Sequence, residues 1–159
     1  MKHSAVNRAL NILKQAGLAA SETIKGCNEE EIRSLEDRFS VRLPKCYRDF
    51  LAVMGYQVGD FLVGTDYSFP KMLEFRKGAE DLMRSSQSDV RLPQSAFVFI
   101  FHQGYTFLFF DCNDDPDDPP VFMFTEANKK TSKISDSLST WLFDAVDDDI
   151  NAYRELDET

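Results

Sequence analysis

Apolar residues in the first half of the chain recur every three or four positions, which is the spacing of one face of a helix. The segments with this spacing, which are predicted to be helices, are residues 4–18, 28–39, 43–55 and 70–86. Asn28 followed by Glu31 has the sequence of a capping box, so the second helix is predicted to start there. Gly55 is predicted to end the third helix in the left-handed conformation. Residues 18–27 are small and polar and are interpreted as a linker.

The spacing changes at Ala96, where short runs rich in phenylalanine begin. Aromatic and β-branched side chains suit a pleated surface, so these runs are predicted to be β-strands. They are residues 96–101, 105–111 and 120–125. Gly104 lies in a short turn and predicts a hairpin between the first two. Both alternating faces are apolar, which predicts central strands covered on both sides. Ser135 or Asp136 is predicted to cap a last helix.

The order of helices, antiparallel strands and a closing helix indicates the α+β class. We expect a single domain in which an antiparallel sheet with Phe-rich central strands packs against helices. A length of 159 residues fits one domain, and a chain of this size needs no metal or disulfide to fold. Residues 1–27 are interpreted as an N-terminal helix and linker, and residues 28–159 as the α+β domain with its C-terminal helix.

Four sequence blocks occur in the order in which one known family has them. They are residues 31–39 leading into Leu43-Pro44-x-x-Tyr47-x-x-Phe50-Leu51 and Gly55, residues 92–101, residues 104–126, and residues 134–142, which end in Ser137-Leu138-x-x-Trp141-Leu142. Over about residues 28–146 the chain resembles the SUKH superfamily, specifically its Smi/Knr-like group. The resemblance implies a protein-binding role and supplies no catalytic constellation. Bacterial members resemble immunity proteins encoded beside toxins, often nucleases, and fungal relatives are regulators that act through protein contacts.

The net charge of −9 is concentrated in the last third of the chain. Residues 111–159 contain four basic and fourteen acidic residues, a balance of −10. Nucleic-acid backbones and anionic membranes attract positive charge, so neither is an expected partner. A basic protein partner is favoured, because opposite charge speeds encounter.

The compartment is predicted from the cysteines and from the lack of long apolar runs. Three cysteines, without a CxxC pair, indicate reduced thiols in a cytoplasmic protein. The longest apolar run is the six residues Ala96 to Phe101, whereas a membrane span needs about 20. The N-terminus has no uninterrupted apolar stretch, so no signal peptide is expected.

The segment 111–120 is rich in aspartate and first suggests calcium binding. Asp111, Asn113 and Asp115 match positions 1, 3 and 5 of an EF-hand loop, but Pro116 replaces the required glycine. Position 12 is also a phenylalanine where a bidentate glutamate is needed. No metal site is therefore predicted. Three alternatives stay open for the segment: a solvated hairpin loop, a contact surface for a basic partner, or weak adventitious cation binding.

The candidate partner-binding residues are four carboxylates and two tyrosines. The carboxylates, Asp114, Asp115, Asp117 and Asp118, form a charge run that could occupy a cleft lined with Lys and Arg. Tyr56 and Tyr67 lie among glycines and aspartates and are interpreted as interface anchors, since binding hot spots are rich in tyrosine. The alternative is that these tyrosines cover the edge of the sheet.

Catalysis is tested against the few side chains that could support it. A nucleophile needs a base within reach, and the chain has only His3 and His102. His102 and Cys112 could meet across the hairpin, although neighbouring aspartates disfavour a thiolate. Tyr47 is predicted to be a core residue whose hydroxyl lies near the surface. No phosphate-binding glycine pattern occurs, so no cofactor and no enzymatic activity are expected.

These observations together predict a non-catalytic protein-binding module. The specific hypothesis is an acidic, cytoplasmic immunity protein that neutralises a cognate bacterial toxin by stoichiometric binding. The partner is expected to be a basic toxin domain, for example that of a nuclease. The alternative hypothesis is a regulatory or scaffolding interaction protein with an endogenous partner.

Overall fold

A computed structural model describes residues 4–157 of the protein. The helices are α1 Ala5–Gln15, α2 Glu29–Phe39, α3 Lys45–Met54, α4 Phe75–Ser85 and α5 Leu138–Asp157. The strands are β1 Ile24–Lys25, β2 Gln57–Val58, β3 Ala96–His102, β4 Thr106–Asp111, β5 Val121–Thr125 and β6 Thr131–Ser135. Short 3-10 turns span Ser21–Thr23 and Lys71–Glu74. The predicted α+β class is confirmed. Within residues 4–157, no helix is both long enough and apolar enough to cross a bilayer.

The main sheet has four antiparallel strands in the order β3-β4-β5-β6. The spacing did not predict β6, because its sequence is polar except for one isoleucine. β3 lies at an edge of the sheet, so the prediction that it is central is wrong. Its outer edge is covered instead. Asp66 exchanges backbone hydrogen bonds of 2.8 and 2.9 Å with Phe101, and Arg76 donates to the carbonyl oxygens of Pro93 and Ala96.

Tyr47 of α3 joins the helices to one face of the sheet. Its ring contacts those of Phe97, Phe99 and Phe110, with centroids 5.3, 5.8 and 5.2 Å away. Tyr47 is only 1% exposed, and its hydroxyl lies 3.6 Å from the sulfur of Met72. The predicted core position is confirmed, whereas the prediction that the hydroxyl lies near the surface is wrong.

The other face of the sheet is covered by α4. Phe107 and Phe110 are three positions apart on β4, so their side chains point to opposite faces. Phe101 packs on Phe107 with centroids 5.7 Å apart, and on Phe75 of α4 at 6.0 Å. Gly78 of α4 allows this approach, because a Cβ there would lie 3.2 Å from the ring of Phe101. The apolar faces predicted from the sequence are therefore both buried.

The N-terminal segment packs onto this core. α1 contacts α5 and α3, and the guanidinium of Arg8 lies 5.7 Å from the ring of Phe143. In the segment 18–27, interpreted above as a linker, Leu18 and Cys27 are buried and β1 pairs with β2. This short ribbon holds the segment against the end of α3.

The boundaries of α2 and α3 test two sequence predictions. Asn28 and Glu31 form the predicted capping box, with both hydrogen bonds at 2.9 Å. Gly55 follows α3 with a φ of −65°, so the predicted left-handed ending is wrong. Glycine is needed there for space, since a Cβ would lie 2.6 Å from the sulfur of Cys27 and 2.7 Å from the carbonyl oxygen of Leu51.

Tyr47 gives a prediction about stability. Tyr47→Ala should lower the free energy of unfolding by roughly 3–5 kcal/mol, because it empties the space between α3 and the sheet. Tyr47→Phe should cost less than about 1 kcal/mol, because the hydroxyl bonds only to a weakly accepting sulfur. Urea denaturation of both variants measures this. Equal losses would show that the hydroxyl contact, and not the ring, holds α3.

Candidate functional site

Residues 111–120, called the acidic loop from here on, connect β4 to β5 and carry the predicted carboxylates. The loop is shaped by one of its own side chains. Asp115 Oδ1 accepts hydrogen bonds from the backbone N–H groups of Asp117 and Asp118, at 2.8 and 3.1 Å. These bonds stabilise the ionised carboxylate and lower the pKa of Asp115. Asp115 therefore contributes to the turn as well as to the charge.

The backbone of the acidic loop caps α3. The N–H groups of Lys45 and Cys46 donate to the carbonyl oxygens of Pro116 and Asp117, at 3.0 and 2.9 Å. Pro44, the residue before the helix, makes no side-chain cap. The first N–H groups of a helix need acceptors from outside it, and here the loop supplies two. The loop is thus fixed to the start of a core helix.

A carboxylate of the same loop caps α5. Asp118 accepts hydrogen bonds from both the backbone N–H and the hydroxyl of Ser139, the former at 2.8 Å. The hydroxyl of Ser137 accepts from the N–H of Thr140 at 3.1 Å. The local cap therefore lies one or two residues later than predicted, and a second cap arrives from a distant loop. Negative charge is favourable at both helix N-termini.

Three of the four candidate carboxylates of the loop face solvent. Asp114, Asp115 and Asp117 are exposed, whereas Asp118 is half-buried. Within residues 4–157, none of these four carboxylates forms an ion pair. The structure thus presents three exposed carboxylates on a loop that is anchored to two helices.

Tyr56 lies at the far end of α3 from the acidic loop, because the ten-residue helix is ~15 Å long. Its hydroxyl donates to Glu31 of the α2 capping box, and this bond raises the pKa of Tyr56 to about 12. Lys25 lies over its ring, 4.6 Å from the centroid, and Phe69 packs against the ring at 5.4 Å. Most of the Tyr56 side chain is therefore already in contact with other residues of the protein.

Tyr67 is half-buried, and its ring packs edge-on against that of Phe50 in α3, at 6.1 Å. Burial raises the pKa of its hydroxyl. The six candidate residues hence fall into two groups, with the aspartates together on the acidic loop and the tyrosines packed along and beyond α3.

His102 and Cys112, which could have met across the hairpin, lie far apart. His102 pairs with Thr106 at the turn of the hairpin, and Cys112 follows β4 at the opposite end of its six residues. The two side chains are therefore roughly 20 Å apart. Burial raises the pKa of the Cys112 thiol to about 12, so the thiol stays protonated. His3 lies outside the described residues.

No group of three or more His, Cys, Asp or Glu side chains in residues 4–157 is arranged to hold a metal ion. The carboxylates of the acidic loop are engaged in its turns and in helix capping, or point to solvent.

An open groove lies beside the acidic loop and has the opposite charge. It has a volume of about 610 Å³ and is lined by Arg38, Phe39, Ser40, Val41, Arg42, Arg76, Gln94, Ser95 and Asn113. We call it the arginine groove. Asn113 belongs to both features, and Ser95 is tied to the loop by a hydrogen bond of 2.6 Å to Asp111. Sequence reasoning missed the groove, because its lining comes from residues 38–42, Arg76, residues 94–95 and Asn113, which only the fold brings together.

The sequence matches the SMI1 / KNR4 family (SUKH-1) over residues 26–144, well over half of the 159 residues. The chain belongs to this family. The resemblance predicted from the four sequence blocks is confirmed, and the acidic loop and the arginine groove both lie inside the matched region. A comparison with curated proteins gives no match. Family membership is consistent with a protein-interaction module of the immunity type.

The loop geometry predicts unequal roles for two of its aspartates. Asp118→Ala should lower the free energy of unfolding by ~1 kcal/mol, since it removes one of the two caps of α5. Asp114→Ala, the matched control, should change it by less than about 0.5 kcal/mol, because the side chain is exposed. Urea denaturation at neutral pH measures both. Equal effects would contradict the capping role of Asp118.

Proposed function

We propose that this protein is an immunity protein that binds a basic domain of a cognate bacterial toxin in a one-to-one complex. The acidic loop enters the toxin's active-site cleft and blocks it, so no turnover and no cofactor are needed. The observation that carries the proposal is the set of exposed carboxylates of Asp114, Asp115 and Asp117, displayed on a protein of the SUKH-1 family.

The anchoring of the acidic loop supports this role. A binding segment that is already ordered loses less conformational entropy when the complex forms. Here the loop is tied to α3 through Pro116 and Asp117, and to α5 through Asp118. Its exposed carboxylates are therefore presented in a defined arrangement, which suits the insertion of the loop into a cleft lined with Lys and Arg.

The charge of the whole chain supports fast capture. A net charge of −9 attracts a basic domain from a distance, and such steering raises association rates by roughly 10- to 1000-fold at low salt. Speed matters for an inhibitor that must bind a toxin before it acts. The three cysteines are free thiols, which fits a cytoplasmic location, where reducing conditions keep thiols unpaired.

The test is affinity capture with a charge-reversed loop. The wild-type protein and the variant Asp114→Lys/Asp117→Lys are used as baits for the lysate and culture supernatant of the source cell. This variant keeps Asp115 and Asp118, which shape and anchor the loop. The matched control is Asp147→Lys/Asp148→Lys, which makes the same charge change at exposed positions of α5.

We expect the wild type and the control to retain a basic toxin domain, identified by mass spectrometry, and the loop variant to lose it. With the purified domain, the loop variant should associate at least about tenfold more slowly at low salt. One equivalent of wild type should abolish the toxic activity. Capture of only housekeeping or signalling proteins by every bait would overturn the proposal and favour a regulatory role.

A further inference from the structure

The arginine groove contains guanidinium groups that are exposed and only weakly held by the rest of the protein. Arg42 is exposed and, within residues 4–157, its side chain makes no hydrogen bond or ion pair. Arg38 lies 4.0 Å from Glu74 and 5.8 Å from the ring centroid of Phe39. The side chains of Arg38 and Glu74 are more than half exposed, so this pair contributes little to stability. Both arginines are thus available to a ligand.

Arg76, in contrast, is fully engaged and builds the groove wall. Its Nε donates to Glu80 at 2.7 Å, and its Nη1 donates to the carbonyl oxygens of Pro93 and Ala96 at 2.9 Å. These bonds hold the segment before β3 against α4, and Gln94 and Ser95 of that segment line the groove. The wall is therefore formed without a ligand.

The chemistry of the groove favours carboxylates. The planar guanidinium forms paired hydrogen bonds with carboxylate or phosphate groups. The acidic loop adjoins the groove through Asn113, and the chain carries a net charge of −9. A polyanion such as RNA would be repelled by these neighbours, since its phosphates cannot avoid the loop. A protein can carry a short acidic segment beside a basic surface, and so satisfy both features at once.

We propose that the arginine groove docks an acidic segment of the protein partner, with Arg38 and Arg42 binding its carboxylates. The inference rests on the proposed function, because the partner is the one whose basic surface meets the acidic loop. Two adjoining patches of opposite sign fix the orientation of a partner, and they reject basic proteins that lack carboxylates at the matching place. The groove thus determines specificity, while the loop supplies attraction.

Nuclear magnetic resonance of the ¹⁵N-labelled full chain tests this with defined probes. The first probe is a short capped peptide of alternating glutamate and glycine. The second is the same peptide with lysine in place of glutamate, and the third and fourth are inorganic phosphate and a short oligoribonucleotide. The variants are Arg38→Gln/Arg42→Gln and the matched control Lys14→Gln/Lys130→Gln, which also removes two exposed positive charges, at positions that do not line the groove. The spectrum of each variant also reports whether the variant is folded.

We expect the glutamate peptide to shift the amide signals of the groove residues Ser40, Arg42, Gln94, Ser95 and Asn113. The affinity should fall at least about tenfold in the double arginine variant, as expected for losing charge-assisted hydrogen bonds, and should not change in the control.

Three results would overturn the groove proposal. They are no shift in the groove, equal shifts around all exposed cations, or groove shifts with phosphate or RNA but not with the glutamate peptide. The lysine peptide tests the acidic loop separately, since it should shift the amides of Asp114 and Asp117. Shifts of these two amides without shifts in the groove would contradict the docking of an acidic segment in the groove. They would not contradict the proposed function.

Discussion

Strands β3 and β4 are apolar on both faces, and this constraint organises the rest of the structure. Burying one face requires α3, whose Tyr47 contacts three phenylalanines of the sheet. Burying the other requires α4, where Phe75 and Gly78 meet Phe101. Because aromatic side chains contribute large buried areas, this arrangement supplies much of the hydrophobic stabilisation. It also leaves β3 at a sheet edge, which Arg76 and the neighbouring chain cover.

The acidic loop joins stability to the proposed binding role. Residues needed for capping and residues available for a partner alternate within a few positions. Asp118 is committed to α5, and Asp115 to the turn, while Asp114 and Asp117 direct their carboxylates outward. Like charges crowded on one loop repel one another, and the two helix N-termini partly offset that cost. The same contacts hold the exposed carboxylates in place.

Two adjoining parts of the protein surface carry charge of opposite sign. The acidic loop carries the negative part, and the arginine groove beside it contains the exposed side chains of Arg38 and Arg42. A surface with only one sign of charge attracts an oppositely charged partner but does not fix its orientation. Two signs side by side favour one docking geometry, because any other geometry brings like charges together.

The sequence by itself determined the α+β class, the five helices, the capping box at Asn28 and the location of the acidic loop. These features depend on local spacing and on residue types, which the chain order states directly. Only the tertiary structure decided the edge position of β3, the lack of space for a side chain at Gly55, the cap that Asp118 provides and the arginine groove. Each of these depends on atoms from segments far apart in the chain. Periodicity does not encode such contacts, because they exist only after the segments have packed.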